Sequence, residues 1–332
     1  MDKEFVNQEL EFSAKRTLTH LTGSEDSLTP LYLQPDHALF LAENLRIIFK
    51  VSMAEKALQH EYAIAQKGAS IGVPIPEILG FEAGQPAVLA MKQVMGHPLS
   101  SHNQSAAKEA GNYLQRFHTL GAHPPFSGGQ QQWEAFISWW ANEEIEKVKR
   151  LAVLDHQQIR ELHEQFETLR PLLVQRPIVL LHADLQTAHI LVDPQTEKVL
   201  AFLDFADAQP GDPLLDIAVV TLWDQELTDF FLEGYSSIEK TTETKQVLSL
   251  YRLLRHLAEI PWLVERGFQE LAARNITALK DALGAWHHSK AFPGMSEHAL
   301  RRADEIRTPS PLSSHPDNDG GGVRQSDAGG NG

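Results

Sequence analysis

The spacing of apolar positions changes twice along the chain. In "ALFLAENLRIIFKV", Ala38 to Val51, two short apolar runs flank Glu43-Asn44 and predict a hairpin, and "AVLAMKQV", Ala87 to Val94, predicts another strand. Between them "MAEKALQHEYAIAQKGA" has helix-forming composition and ends near Gly68, before Pro74 and Pro76 forbid its continuation. The first ninety residues thus read as a small mixed sheet with one helix. Beyond Gly96 the period lengthens: Ala106, Ala110, Tyr113, Leu114 and Phe117 recur at helical steps, as do Trp133, Phe136, Ile137 and Trp140. Both stripes predict core-facing helices. The strand-like runs "IVLLHA", "HILVD" and "VLAFLDF" interrupt, with a turn at Asp193-Pro194, and helical periodicity returns from Leu214 to Trp286, broken near Gly234 and Gly267.

This order predicts an α+β protein of two unequal lobes. Residues 1–94 form the sheet-rich lobe and 95–305 the helical one, with a hinge near 91–98 and a ligand cleft between them. Residues 306–332 have almost no large apolar side chains to offset ordering entropy, so a disordered tail is expected. No internal repeat is present.

Composition narrows the function classes. The chain has 332 residues, 42% of them hydrophobic, enough for a substantial core. It contains no 18-residue uncharged apolar run, and "MDKEFVNQELEFSAKR" lacks the basic flank and apolar core of a secretory signal, so the expected location is the cytoplasm, with no membrane partner. Cysteine is absent, which excludes disulfides, thiolate catalysis and cysteine zinc sites and leaves His, Asp and Glu as metal ligands. The formal charge of -15 disfavours nucleic acid as a partner and favours a cationic small molecule.

The chemistry concentrates in "VLLHADLQTAHILVDPQTEKVLAFLDFADAQPGDP", Val179 to Pro213. Asp184 follows one apolar strand, His189 opens the next and Asp204 ends the third, so three strands lying side by side would bring these side chains to one edge. Two metal ligands beside a free carboxylate suit phosphoryl transfer, in which an ion neutralises phosphate charge while the carboxylate orients the attacking hydroxyl. In this pattern Asp184 is the base, and His189 and Asp204 hold the metal.

The segment "HADLQTAHILVD...LAFLDFADAQPGDPLLDIA" resembles the catalytic segment of the aminoglycoside phosphotransferase family, whose members have a protein-kinase-like fold. The resemblance extends from about Leu31 to Gly267 and is densest over Val179 to Ala218. It implies that Asp184 is the catalytic base, that His182 supports its loop and that Asp204 binds metal. Ala183 stands where the family usually has glycine, a mild change if the backbone there needs no positive φ. His189 replaces the usual asparagine, as in macrolide phosphotransferases and the enzymes that modify the 2''-hydroxyl of aminoglycosides; Asp207, three residues after Asp204, is closer to the second group. The implied metal is magnesium, with manganese tolerated because a nitrogen ligand replaces oxygen.

By spacing, the resemblance also makes Lys50 the phosphate-binding lysine and Glu61 its partner, although Glu55 lies on the same predicted helix. Phosphate-cradling glycines are nearly absent: Gly23 precedes Ser24, Glu25, Asp26 and Ser27, of which Ser24 and Ser27 are the candidate phosphate contacts. Backbone groups at Gln93 and Val94 would receive the purine of ATP or GTP. Acidic candidates for the acceptor site are Asp207, Asp224, Glu259 and Glu265. The expected activity is γ-phosphoryl transfer from a nucleotide to a hydroxyl of a small molecule, with an aminoglycoside-like amino sugar as the leading acceptor. A macrolide, a small metabolic alcohol or a catalytically inactive nucleotide-binding module are the alternatives.

Overall fold

The computed structural model describes residues 3–121, 130–174 and 176–289. The predicted tail, 306–332, and residues 290–305 lie outside them.

The smaller lobe opens with α1 (Lys3–Thr22), followed by β1 (Leu28–Leu33), β2 (His37–Ala42), β3 (Ile47–Ser52), α2 (Glu55–Ser70), β4 (Ile78–Glu82) and β5 (Ala87–Lys92). The five strands form one sheet in the order β1-β2-β3-β5-β4, antiparallel throughout rather than mixed. A second helix, absent from the sequence expectation, is also present: α1 lays Leu10, Ala14 and Leu18 on one sheet face, against Ala38, Phe40, Phe49, Val51, Val88 and Ala90. On the other face Leu58 of α2 packs on Ala87 and Leu89. Side chains of a strand alternate between faces, so "IIFKVS" sends Ile47, Phe49 and Val51 towards α1 and leaves Lys50 on the α2 side.

The larger lobe begins after β6 (His97–Pro98). It contains α3 (Gln104–His118), α4 (Gln130–Leu151) and α5 (His156–Leu169), then the short strands β7 (Val179–Leu181), β8 (Ile190–Val192), β9 (Val199–Phe202) and β10 (Gln209–Gly211), and finally α6 (Pro213–Val220), α7 (Leu227–Gly234), α8 (Thr242–Glu265) and α9 (Gln269–Ser289). The three strands of the acidic segment do not lie side by side. β7 pairs with β10, while β8 pairs with β9 and β6, so two small sheets carry the polar residues.

One continuous core, from Leu114 and Phe117 through Trp133 and Ile137 to Tyr251 and Leu257, supports these sheets. The Trp133 indole N–H donates to the Tyr251 hydroxyl, 2.8 Å, which settles the buried polar atom of its largest aromatic. Where α3 crosses α7 there is no room for a side chain: a Cβ at Gly111 would run into the backbone of Phe231, and one at Gly234 into that of Lys108. Glycine is needed there for contact, not for a special φ.

Candidate active site

Lys50 is the first fixed point of the cleft. Its ammonium lies 2.7 Å from Oε2 of Glu61 and 2.9 Å from Oδ1 of Asp204, so one lysine joins β3, α2 and the end of β9. Glu61, 3% exposed, is the partner that the sequence left open against Glu55, which carries no contact to Lys50 among the described residues. Burial opposes the Lys50 charge, but Glu61 and then Asp204 outweigh it and raise its pKa. Burial also opposes ionisation of Asp204; there Lys50, followed by His189 and His182, wins and holds the carboxyl below its usual range. Glu61 moves the other way, because its burial exceeds the pull of Lys50. The helix bearing it is tied to the same loop by a second contact, His60 Nε2 to the Ala208 carbonyl at 2.8 Å.

The loop from His182 to His189 is built on Asp216, a fully buried carboxylate of α6. Its Oδ2 accepts the His182 N–H and its Oδ1 the Ala183 N–H, each at 2.8 Å, and His118 Nε2 lies 2.9 Å from Oδ2. Ala183 has φ +66°, so the position does require the left-handed region in which glycine is at ease. Alanine there is thus a strained replacement, because the condition for a mild change, a backbone without positive φ, is not met. Asp204 is also left-handed, φ +63°. His182 donates from Nε2 to the Leu203 carbonyl at 2.8 Å, linking the loop to the end of β9, and burial lowers its pKa and keeps the ring neutral.

His189 approaches the Asp184 carbonyl with Nδ1 at 2.7 Å, and its own carbonyl accepts the Leu203 N–H at 2.9 Å. With its proton on Nδ1, the ring keeps a lone pair on Nε2. A backbone carbonyl orienting the far nitrogen is the usual support of a metal-ligating histidine. Asp204 retains Oδ2 beyond its contact with Lys50. These two donors fit a divalent ion completed by phosphate oxygens and water, the manner in which magnesium is commonly held. Among the described residues no set of three or more metal-binding side chains stands together.

Asp184 stands beside this pair, its Oδ2 3.9 Å from His189 Nδ1, and turns its other oxygen to α8. Its Oδ1 is in direct contact with Arg255 Nη2 of α8 and 3.1 Å from Gln186 Nε2. Asp207 and Glu259 belong to the same neighbourhood. Asp207, on the exposed rim, is raised in pKa by partial burial of its carboxyl and then by the charges of Asp184 and Asp204. Glu259 is raised by burial and by Asp184, with Arg255 opposing. Asp224 lies in the turn before α7, where its carbonyl accepts the Leu227 N–H. Glu265 is the exposed last residue of α8, about 240° around the helix from Glu259. Neither joins the cluster.

On the nucleotide side the register sets Ser24 and Ser27 apart from Lys50. Lys50 pairs with Leu39 and Leu39 with Tyr32, whereas Leu28, Ala42, Ile47 and Lys92 line up at the end from which the chain leaves for Gln93. Ser24 and Ser27 precede Leu28 at that end, two strands away from Lys50, and the turn joining β1 to β2 is Gln34-Pro35-Asp36. Ser24 Oγ is occupied by the Asp26 N–H, and Asp26 Oδ1 by the Ser27 N–H and Asn44. The Gln93 N–H is likewise spent, on the Arg46 carbonyl at 2.8 Å, while the Val94 N–H has no backbone partner among the described residues. Sequence reasoning missed Arg255, His60 and His118; a lone basic residue within a helix stripe carries no sign of the loop it reaches.

A family model described as the phosphotransferase enzyme family, APH, matches residues 43–251, more than half of the chain. The chain belongs to this family. Solved structures of similar fold include the GDP complex of wild-type aminoglycoside 2'-phosphotransferase-IIIa, with TM-score 0.64 and 16% identity over 83% of this chain and 98% of that one. A thermostable mutant of aminoglycoside phosphotransferase APH(4)-Ia with ADP and hygromycin B gives TM-score 0.60 and 18% identity, over 82% and 98%. The streptomycin-ATP complex of APH(2'')-IIa gives 0.58 and 13%, over 80% and 97%. No curated protein matches the chain. Membership in the APH family makes the protein a nucleotide-dependent phosphotransferase of small molecules with the kinase-like two-lobed fold.

Proposed function

We propose that the protein transfers the γ-phosphoryl group of ATP or GTP to a hydroxyl of a small cationic acceptor, an aminoglycoside-like amino sugar. The observation that carries this reading is the division of labour around two carboxylates. Asp204 is bound to the lysine of the nucleotide lobe, whereas Asp184, five residues before His189, faces α8 and the acid-rich rim. Lys50 binds the α and β phosphates, held to a single rotamer by Glu61. Asp184 orients the acceptor hydroxyl and takes its proton as the oxygen bonds to the γ phosphorus and the nucleoside diphosphate leaves with the electron pair of the broken bridge bond. His182, neutral and anchored on Leu203, keeps the loop beside the end of β9. His189 and Asp204 would hold a magnesium ion, or manganese in its place, which would supply charge neutralisation on the phosphates. Asp207 offers a carboxylate to an acceptor ammonium at the rim.

A macrolide acceptor is the second reading, favoured by one observation: Trp262, one turn beyond Glu259 on α8, is 46% exposed and stacks on the exposed ring of Phe268 with centroids 6.1 Å apart. An apolar macrolide ring needs apolar surface of this kind.

The test is a mass-spectrometric product screen with ATP and GTP, each with magnesium and manganese, against kanamycin, gentamicin, hygromycin B, streptomycin, a macrolide and small metabolic alcohols. One added HPO3 on an amino sugar is the expected product. Bound nucleotide with no phosphorylated product across the panel would leave a binding module instead. Asp184→Asn is expected to keep nucleotide affinity and lose product formation about 100-fold or more, whereas Asp204→Ala weakens metal-dependent nucleotide binding as well.

A further inference from the structure

The guanidinium of Arg255 is shared by the three carboxylates of the acceptor rim. Its Nη2 contacts Oδ1 of Asp184 and lies 2.9 Å from Oε1 of Glu259, one helical turn further along α8. Its charge also acts on Asp207. The ammonium of Lys50 is already engaged by Glu61 and Asp204. A single Nη2 serves both carboxylates, as hydrogen-bond donor to Asp184 and as ion-pair partner of Glu259, which ties the fork to the helix. With Arg255 on Oδ1, Oδ2 keeps only the longer contact to Gln186 Nε2, 3.3 Å, and lies 3.9 Å from His189 Nδ1, so it is the less firmly held oxygen and the one to face an incoming hydroxyl.

We propose that Arg255 is the positioning residue of the transfer reaction: anchored by Glu259, it holds Oδ1 of Asp184 and thereby aims Oδ2 at the acceptor hydroxyl. The inference rests on the phosphotransferase reading above and changes one part of it. Glu259, expected from sequence to bind the acceptor, is spent on Arg255, which leaves Asp207 as the rim carboxylate open to an acceptor ammonium. The residue acts through Asp184. Its loss should therefore lower turnover and spare nucleotide binding.

The experiment uses the full chain with magnesium and either ATP or GTP, and water as the acceptor. The quantity followed is phosphate release in excess of that by Asp184→Asn. Arg255→Gln is expected to lower this rate tenfold or more, with ADP and GDP affinities within twofold of wild type. Arg255→Lys keeps the charge but not the planar fork and should recover less than a third of the lost rate. Glu259→Gln should cost less than Arg255→Gln, and the double variant should be no slower than Arg255→Gln alone, because the glutamate acts only through the arginine. A rate for Arg255→Gln within twofold of wild type, full recovery by lysine, or losses that multiply in the double variant would each overturn the proposal. If wild type shows no Asp184-dependent release, the phosphotransferase reading has failed, and the arrangement is judged separately by carbon-13 NMR titration of the carboxyls. The signals of Asp207 and Glu259, assigned with Asp207→Asn and Glu259→Gln, should both titrate at higher pH in Arg255→Gln. Unmoved midpoints would put the guanidinium elsewhere and reject the inference.

Discussion

Asp216 shows how much a single side chain contributes to the site without touching a reactant. Two consecutive backbone N–H groups and one imidazole nitrogen converge on a carboxylate with no exposure to solvent. Removing it leaves those donors buried and unpaired, at about 1–3 kcal/mol each when nothing relaxes. Asp216→Ala is accordingly expected to lower stability in urea denaturation by about 3 kcal/mol or more, and Asp216→Asn by less, since its amide oxygen still accepts. A wild-type midpoint for the alanine variant would mean that the loop holds itself. The sequence made part of this scale legible. Asp184, His189 and Asp204 sit at strand ends in a recognisable spacing, and Lys50 ends an apolar run, so their chemistry is written locally. Arg255 was not legible, because it meets Asp184 across 71 residues of chain and nothing near it announces that contact. The Ala183 backbone conformation was equally hidden, since the two amides that force it are satisfied by a residue 33 or 34 positions away.

At the level of elements, the crossing of α3 and α7 is the tightest joint in the larger lobe. Gly111→Ala would drive a methyl group into the Phe231 carbonyl, and a packed helix pair separates only by losing contacts along its length. The expected cost is about 1–3 kcal/mol, read as a lower denaturation midpoint at unchanged slope; a neutral effect would show that the two helices slide apart freely. Most helices and strands could be read from apolar period, because each buries one face. The first helix escaped: its inward residues Leu10, Ala14 and Leu18 are few and separated by polar ones, so no strong stripe appears. The pairing of β7 with β10 also escaped. Three short apolar runs in sequence suggest neighbours, but strands of three or four residues are placed by the loops between them more than by their own pattern.

For the molecule as a whole, two histidines set a stability limit on the acid side. Burial lowers the pKa of His182, and burial together with Arg252 and Arg274 lowers that of His256 despite its bond to Asn275. In the unfolded chain each takes up a proton near its ordinary pKa of about 6.5, while the native ring stays neutral. Below that pH the unfolded state binds more protons, so stability falls by up to about 1.4 kcal/mol per pH unit for each ring until its folded pKa is passed. Asp204 adds its loss at lower pH: its folded pKa is depressed, so its contribution is present above the unfolded carboxylate value and disappears beneath it. Thermal melts between pH 7.5 and about 5.5 should show the first decline, and His256→Gln should flatten it. An equal slope in that variant would remove this ring as a cause. No described helix is long and apolar enough to cross a membrane.

The carboxylate of α6 that receives both loop amides has a further consequence for anyone altering the interior. Catalytic aim and hydrophobic packing share a hinge pin there, so a repacked α6 would carry the reactive loop with it. Gains in heat tolerance from that region would have to be sought together with turnover, never one before the other.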